Sequence, residues 1–355
     1  MARELAITGV GLRCSVGQDA PRSLAAVRAG LSRLREWPET AGEDDVTVAA
    51  AAVYPDLGDA PWTEKFEALA AQPLLEALRS AGFADAAERS SSRRWQLLLG
   101  LPVTGRDGVP AAAEQAWRRD LEQGGALPFA VPAVREVRRG HASALVALRQ
   151  AIALFEEQDL DFVVVGGVDS LLHSDALSAL ETAGRLKTSE RPVGLLPGEA
   201  GAFVVIEPAE SALARGAKIL ALLGGASAEQ ESDPSDDRGP HRGRALALAL
   251  RKALARAGCA GDEIGSVLVD LNGERWRFME QAVASNPALA SLPPDRALWH
   301  PADSLGDVGA AAGAALLVLA ALALQQGKAR GRAVMIVNSS DTGERAAVCV
   351  RAAAS

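Results

Sequence analysis

Cysteine and aromatic side chains are scarce in this sequence. Three of the 355 residues are cysteine, and aromatic residues make up 4% of the chain. Cys14, Cys259 and Cys349 lie far apart and form no CxxC pair. This odd, widely spaced set argues against a disulfide framework and against a zinc site, and it favours a reducing compartment. We therefore expect no structural metal and no disulfide scaffold.

Positive charge is also in deficit. The chain has 37 Lys and Arg against 45 Asp and Glu, which gives a net charge of −8. An acidic chain disfavours nonspecific binding to nucleic acid or to an anionic membrane surface. The first residues lack the apolar core of a secretion signal. We therefore expect a cytoplasmic protein whose partners do not include nucleic acid.

Long hydrophobic runs are few, and one needs a membrane check. Val308–Leu324 carries no charge and is rich in Ala and Leu. A helix that spans a bilayer needs about 20 apolar residues, so this run lies at the short limit. Its small residues and its place inside an otherwise ordinary globular pattern favour a buried central helix. We predict no membrane span.

Apolar runs of strand length alternate with helical patterns along the whole chain. Strands are predicted at Leu5–Val10, Val46–Val53, Trp95–Leu101, Phe162–Val165, Ala202–Ile206, Lys218–Leu223, Ser266–Leu271, Ala333–Val337 and Ala346–Val350. Helices are predicted at Arg22–Ala29, Trp62–Ala81, Ala111–Glu122, Ala142–Gln158, Leu177–Thr182, Gly243–Ala257, Arg275–Ala284 and Val308–Leu324. This alternation predicts an α/β fold with helices covering apolar strands. The halves, about 1–210 and about 211–355, repeat a similar order within one unit, 1–355.

Several segments, in order, resemble the landmarks of β-ketoacyl synthases. They are Ile7–Gly17, His141–Ala151, Asp161–Ser170, Leu196–Glu207, Gly306–Gly327 and Asn338–Val350. Each motif is weak alone, and their order and spacing carry the resemblance. It implies a thiolase-like fold with five layers, α/β/α/β/α, built from two similar halves. Glycines within these segments, at 166–167, 198–201 and 309–313, are expected to allow close backbone approach.

The resemblance also implies which positions carry the condensing chemistry, and this chain departs at each of them. The family's nucleophilic Cys is matched by His141, and its two catalytic His are matched by Asn272 and Asp307. The family's Lys is matched by Ala302. A thiolate both attacks a thioester and leaves again, which imidazole does poorly. An anion at position 307 would repel a developing oxyanion.

These departures predict a protein that has kept the fold and lost condensation. The first hypothesis is a catalytically inactive scaffold or accessory subunit that acts through protein–protein interaction. The second is an acyltransferase or thioester hydrolase with an altered site that uses His141, Asn272 or Asp307. The third is a sensor that binds an acyl or CoA-like ligand. No cofactor and no metal are expected.

The resemblance also implies partners. We expect a homodimer, or a heterodimer with an active synthase-like subunit, and an acyl carrier protein or another protein assembly as a further partner. We predict that Phe162–Val165, a wholly apolar strand, pairs across the two-fold axis of the dimer. The basic segment Arg135–Arg139 is interpreted as a solvated face, with docking of an acidic carrier as the sharper alternative.

Other polar residues give weaker signals. His300, Asp303, Ser304 and Asp307 share one segment, but their spacing matches neither a metal motif nor a hydrolase motif. His141 itself is expected to be satisfied by nearby backbone groups at a helix start. The remaining expectations concern four sites. His173 and His241 are expected to be solvated, Glu199 to be buried against an Arg, and Gly9-Val10-Gly11 to be no dinucleotide turn, because Cys14 replaces the third glycine.

Overall fold

The structure is a computed structural model that describes residues 3–37, 48–83, 93–109, 111–124, 127–232 and 243–353. The strands are β1 Leu5–Cys14, β2 Arg35–Trp37, β3 Val48–Ala50, β4 Trp95–Leu101, β5 Val134–Arg138, β6 Phe162–Ser170, β7 Glu199–Pro208, β8 Ala221–Gln230, β9 Ile264–Val269, β10 Ala297–Trp299, β11 Ala333–Ser339 and β12 Glu344–Arg351. The helices are α1 Ala20–Arg28, α2 Trp62–Ser80, α3 Ala111–Gln123, α4 Ser143–Glu157, α5 Ser174–Thr182, α6 Ala209–Ala214, α7 Arg244–Ala255, α8 Arg275–Ala288, α9 Ala302–Leu305 and α10 Ala312–Gln325. Short 3₁₀ turns at Gly140–Ala142 and Gly309–Ala311 lead into α4 and α10.

The large sheet consists of two sets of strands with the same internal order. Among the described residues its order is β10-β9-β11-β12-β8-β1-β7-β6-β4-β5. In chain order, one set consists of β1, β4, β5, β6 and β7, and the other of β8, β9, β10, β11 and β12. In each set the first strand pairs antiparallel with the fifth, and the fifth pairs antiparallel with the fourth. The fourth then pairs parallel with the second, and the second pairs parallel with the third. The sets meet where β1 pairs briefly with β8. This arrangement brings equivalent strand ends of the two sets toward one region.

Two helices, α4 and α10, lie between the two strand sets. Each packs on strands of both sets and on the other helix. The strand β6 shows how the layers divide, since Val163 and Val165 face this central layer while Phe162 and Val164 face the outer helix α2. On the far side of the second set, α7 and α8 cover its outer face. The result is the predicted five-layered α/β/α/β/α arrangement.

The central helix α10 confirms the interpretation of the long apolar run. Every residue from Ala312 to Leu324 is buried, which is why the run needs no polar face. No helix in the described part of the chain has the length and hydropathy that crossing a bilayer requires. The predicted hairpin at the C-terminal end is also confirmed, because β11 and β12 pair antiparallel along their whole length.

Close packing between α2 and the sheet depends on glycine, as the glycine-containing segments predict. A Cβ added at Gly201 in β7 would lie 1.9 Å from the carbonyl oxygen of Leu69. That carbonyl has no intrahelical donor four residues on, because Pro73 has no N–H. Gly167 makes a similar approach to the turn before α10, 2.5 Å from the carbonyl oxygen of Ala310.

The predicted dimer strand is wrong. Phe162–Val165 belongs to β6, which pairs with β4 on one side and with β7 on the other. Both of its hydrogen-bonding edges are therefore used within the chain. In the described part of the large sheet, the outermost strands are β5 and β10. Strand pairing that extends this described part of the sheet across a two-fold axis would have to use one of them.

Candidate functional site

The four positions at which this chain departs from the synthase pattern line one small cavity. His141 lies in the 3₁₀ turn before α4, Asn272 follows β9, Ala302 begins α9, and Asp307 precedes the turn before α10. The cavity between them measures about 20 Å³. That volume has room for little more than one water molecule. The positions expected to carry condensing chemistry therefore surround space that is nearly filled.

Asp307 connects three of these positions, because it is hydrogen-bonded to both His141 and Asn272. Its Oδ1 lies 2.7 Å from His141 Nε2, and its Oδ2 accepts a hydrogen bond of 2.6 Å from Asn272 Nδ2. Asp307 is 3% exposed. His141 is therefore satisfied by a side chain from the other half of the chain, and the expectation of nearby backbone partners was wrong.

The backbone N–H groups at the head of α10 are already used by carboxylates. Gly309 N donates to Asp307 Oδ1 at 2.9 Å, and Ala310 N donates to Asp169 Oδ2 at 2.7 Å. Gly309 has a φ of +50°, and a Cβ there would lie 2.1 Å from Asp169 Oδ2. N–H groups in such a turn are natural donors to an oxyanion. Here two resident carboxyl groups occupy them.

A buried arginine on α8 completes the cluster. Arg277 is 2% exposed, and its Nη1 donates to Asp270 Oδ2 at 2.9 Å and to the carbonyl oxygen of Ser339. Its Nη2 lies 3.1 Å from His141 Nδ1 and donates to Asp341 Oδ1 at 3.1 Å. The guanidinium therefore faces the imidazole directly, on the side opposite Asp307.

A second arginine holds the outer part of the cluster. Arg185 Nε and Nη2 donate to the two oxygens of Glu274 at 2.7 and 2.9 Å, and Nη1 donates to Asp341 Oδ2 at 2.8 Å. Glu274 also accepts from Asn272 Nδ2 at 3.0 Å. The bidentate pair with Glu274 fixes the loop around Arg185 against the segment after β9, and the single bond to Asp341 joins it to the turn between β11 and β12.

The charges in the cluster stabilise one another. Burial alone would raise the pKa of Asp307, but His141 and Arg277 outweigh it and hold that pKa far below its usual range. Burial likewise opposes ionisation of Asp341, and Arg277 with Arg185 lowers the pKa of Asp341 to about 2. Both carboxylates are therefore ionised at neutral pH, which makes the cluster a set of ion pairs.

Both ring nitrogens of His141 have partners. Burial disfavours the charged imidazole, the Asp307 carboxylate favours it, and the pKa of His141 is raised on balance. Because an N–H of Arg277 points at Nδ1, that nitrogen has to accept, and Nε2 carries the proton toward Asp307. A proton on Nδ1 would make that nitrogen a donor facing the N–H donor of Arg277, with no acceptor between them. His141 therefore presents no free lone pair to a substrate.

A larger cavity, of about 290 Å³, adjoins the cluster. Its wall is largely apolar and includes Ala176, Ala179 and Leu180 of α5. Its polar end is formed by His141, Asp307 and ion-paired residues such as Arg106, which contacts Asp169 at 2.7 Å. A molecule entering this cavity would meet paired charges rather than free donors.

The remaining candidates do not form a second site. His300 pairs with Asp303 at 2.9 Å on the surface, while the buried Ser304 accepts from Ser15 through its backbone oxygen. Neither approaches a triad, and no group of three metal-ligating side chains occurs among the described residues. Gly9 and Gly11 lie inside β1 against α2, which agrees with the absence of a dinucleotide turn.

Three further expectations need correction or fall outside the structure. Glu199 is buried but has no Arg partner in the described structure, since it accepts from Val53 N, Tyr54 N and Ser170 Oγ. His173 is half-buried rather than solvated, and its Nδ1 accepts from Asp175 N at the start of α5. His241 lies outside the described residues.

Sequence reasoning missed Arg277 and Arg185. Only a weak signal for the first was present, because the buried face of α8 contains Arg277 and Glu280 beside the apolar Trp276, whereas Phe278 and Met279 are exposed. The segment Arg135–Arg139 overlaps the edge strand β5. Within it, Arg138 pairs with Glu136 and Arg139 with Glu344, which leaves Arg135 as an exposed cation.

Two strand sets around two central helices, with a polar cluster where the helix heads meet, form the architecture of a thiolase-like fold. The family description "Beta-ketoacyl synthase, N-terminal domain" matches residues 138–212. The 3-oxoacyl-acyl-carrier-protein synthase 2 of Mycobacterium bovis is 29% identical over 245 residues, which cover 63% of this chain and 54% of that protein. The chain thus spans about half the length of that relative. Synthase 1 of Haemophilus influenzae is 27% identical over 296 residues, 71% of this chain and 70% of that protein.

Solved structures give the same fold. A complex described as a type II PKS acyl-carrier protein with its ketosynthase, AntDE:AntF, matches with a TM-score of 0.82 at 17% identity, over 99% of this chain and 100% of that chain. The ishigamide ketosynthase/chain length factor matches with a TM-score of 0.77 at 20% identity over 100% of each chain. This chain is a member of the ketosynthase-like superfamily.

Proposed function

We propose that this chain is a catalytically inactive ketosynthase-like subunit that acts through protein–protein interaction. The observation that carries the proposal is the hydrogen-bonded series Arg277–His141–Asp307–Asn272. By resemblance, it occupies the nucleophile position and both catalytic histidine positions. A condensing enzyme needs a thiolate and free donors to an oxyanion at these places.

The altered-enzyme alternative has less support. Acyl transfer or hydrolysis would need a free nitrogen on His141, or free backbone donors beside it. The ring is held on both sides, and Gly309 N and Ala310 N donate to Asp307 and Asp169. A ligand sensor also has less support, because the polar end of the cavity of about 290 Å³ is formed by side chains that already pair with one another.

The partner class follows from what the structural relatives are described as forming. One is a ketosynthase in complex with an acyl-carrier protein, and another is a ketosynthase/chain length factor. We infer that this chain, in the cytoplasm, pairs with itself or with an active synthase-like subunit. A carrier protein is the further partner that we infer, by analogy with the ketosynthase described in complex with an acyl-carrier protein.

The edge strand β5 is the surface that best suits such pairing. It is longer than β10, the other outermost strand of the large sheet among the described residues. Along β5, Glu136 and Arg138 alternate with the buried Val137. In an antiparallel pair of copies centred on Val137, each Glu136 would lie opposite an Arg138. Opposite charges across strands stabilise such a pair.

Changing Glu136 to Lys should therefore break the dimer. The variant edge would carry only positive charges, so two copies would repel each other across the two-fold axis. Sedimentation velocity of the wild-type chain should give a dimer, and Glu136→Lys should give a monomer at the same concentration. Glu122→Lys, the same charge change on the surface of α3, should remain dimeric. A wild-type chain that sediments as a monomer and binds no synthase-like subunit would contradict the proposed role.

A further inference from the structure

Two cysteines that are distant in the sequence meet behind the second strand set. Cys349 lies on β12 and is fully buried in the outer core beneath α7. Cys259, half-exposed in the loop after α7, packs against that same core. The backbone carbonyls of Ala257 and Cys349 both lie within 3.1 Å of a Cβ built at Gly224, which places this loop over that part of β12.

The two thiols share this core and influence each other's ionisation. The hydrogen bond between them lowers the pKa of Cys259 to about 7, although burial opposes this, and the same hydrogen bond together with burial raises the pKa of Cys349. Arg351, two residues beyond Cys349 on the same face of the strand, also favours the thiolate on Cys259. The accessible sulfur of Cys259 is thus the nucleophile, and the buried sulfur of Cys349 is the resolving thiol.

We propose that Cys259 and Cys349 are a modification site, at which a peroxide converts the pair into a reversible disulfide. The thiolate of Cys259 attacks one peroxide oxygen, the O–O bond breaks, and Cys259 becomes a sulfenic acid while the second oxygen leaves as hydroxide or alkoxide. The thiol of Cys349 then attacks the sulfenic sulfur, the S–S bond forms, and water leaves with the thiol proton. Two electrons pass from the two sulfurs to the peroxide.

The third cysteine supplies an internal comparison. Cys14 is buried at the end of β1, where burial raises its pKa and its Sγ lies 3.3 Å from Ser23 Oγ. A protonated, enclosed thiol reacts slowly with a peroxide. The proposed selectivity therefore follows from position and does not depend on the function of the ion-paired cluster around His141.

The test is oxidation of the full chain with hydrogen peroxide, followed by alkylation of the remaining thiols and peptide mass mapping. We expect a loss of two hydrogen masses, a cross-link between the peptides that contain Cys259 and Cys349, and one alkylated cysteine, Cys14. The bond would link residues 90 positions apart, 349 minus 259. A constraint of this kind should raise the midpoint of thermal unfolding by about 5 °C, and a dithiol reductant should reverse the increase.

Variants make the result specific. Cys14→Ser should still form the cross-link, whereas Cys259→Ser should neither form it nor gain thermal stability on oxidation. Cys259 lies at the surface, so this second variant should fold like the wild-type chain. Three thiols that stay free after oxidation, or a Cys259 that proceeds to sulfinic acid with Cys349 still reduced, would overturn the proposal.

Discussion

Replacing Arg277 by Met lowers the free energy of unfolding by about 3–5 kcal/mol, because it leaves the buried carboxylate of Asp270 without its counter-charge. Asp270 and Asp341 each lose a charged hydrogen bond, and His141 Nδ1 loses its donor. The methionine fills much of the same space, so the loss comes from unpaired charge rather than from a cavity. Urea denaturation at neutral pH measures it.

The neighbouring Arg275 provides the matched control. It lies on the same helix, two residues away, with an exposed side chain. Arg275→Met should change the free energy of unfolding by no more than about 0.5 kcal/mol, as surface substitutions usually do. If Arg277→Met were as mild as this control, the ion-paired cluster would not be held together by Arg277, and the account of the filled site would fail.

The second large effect is expected at Gly201. An alanine there would place its Cβ 1.9 Å from the carbonyl oxygen of Leu69, a backbone atom of α2 that cannot move by itself. The helix would have to move away from β7, and we expect a loss of about 3 kcal/mol or more in the free energy of unfolding. Thermal and urea unfolding of Gly201→Ala against the wild-type chain would measure the loss.

Gly216 separates crowding from the general effect of adding a methyl group. It has a φ of +72° and no atom within 4 Å of an added Cβ. Gly216→Ala should therefore cost about 1 kcal/mol, from backbone conformation alone. Equal losses in the two variants would show that the approach of α2 to the sheet is looser than the structure indicates.

The fold could be predicted from the sequence because its signals are local. The apolar run at Val308–Leu324 and the hairpin of β11 and β12 follow from hydrophobicity and turn residues over short stretches. The order of the segments that resemble β-ketoacyl synthases then indicated the ketosynthase-like superfamily. The prediction that Phe162–Val165 forms the dimer contact was wrong, because an apolar strand indicates only burial. In the structure, β6 is buried by its own neighbours in the sheet.

The cluster around His141 could be predicted only in part. The replaced residues were visible at their positions, but their mutual bonding was not, since Arg277 reaches His141 across 136 positions of sequence. The prediction of an Arg partner for Glu199 was wrong for the same reason. Its donors Val53 N and Tyr54 N come from a distant loop, and sequence patterns do not predict where that loop lies. Long-range pairing of charges depends on the finished fold.

Intact-protein mass spectrometry of the chain after incubation with acetyl-CoA and malonyl-CoA tests the central claim most directly, with free CoA measured in parallel and His141→Ala as control. The account predicts an unchanged mass and CoA release equal to that of the control and of buffer alone, because no free nucleophile faces the cavity. A stable acyl adduct on the wild-type chain, or turnover that is lost in His141→Ala, would contradict it and make His141 a nucleophile.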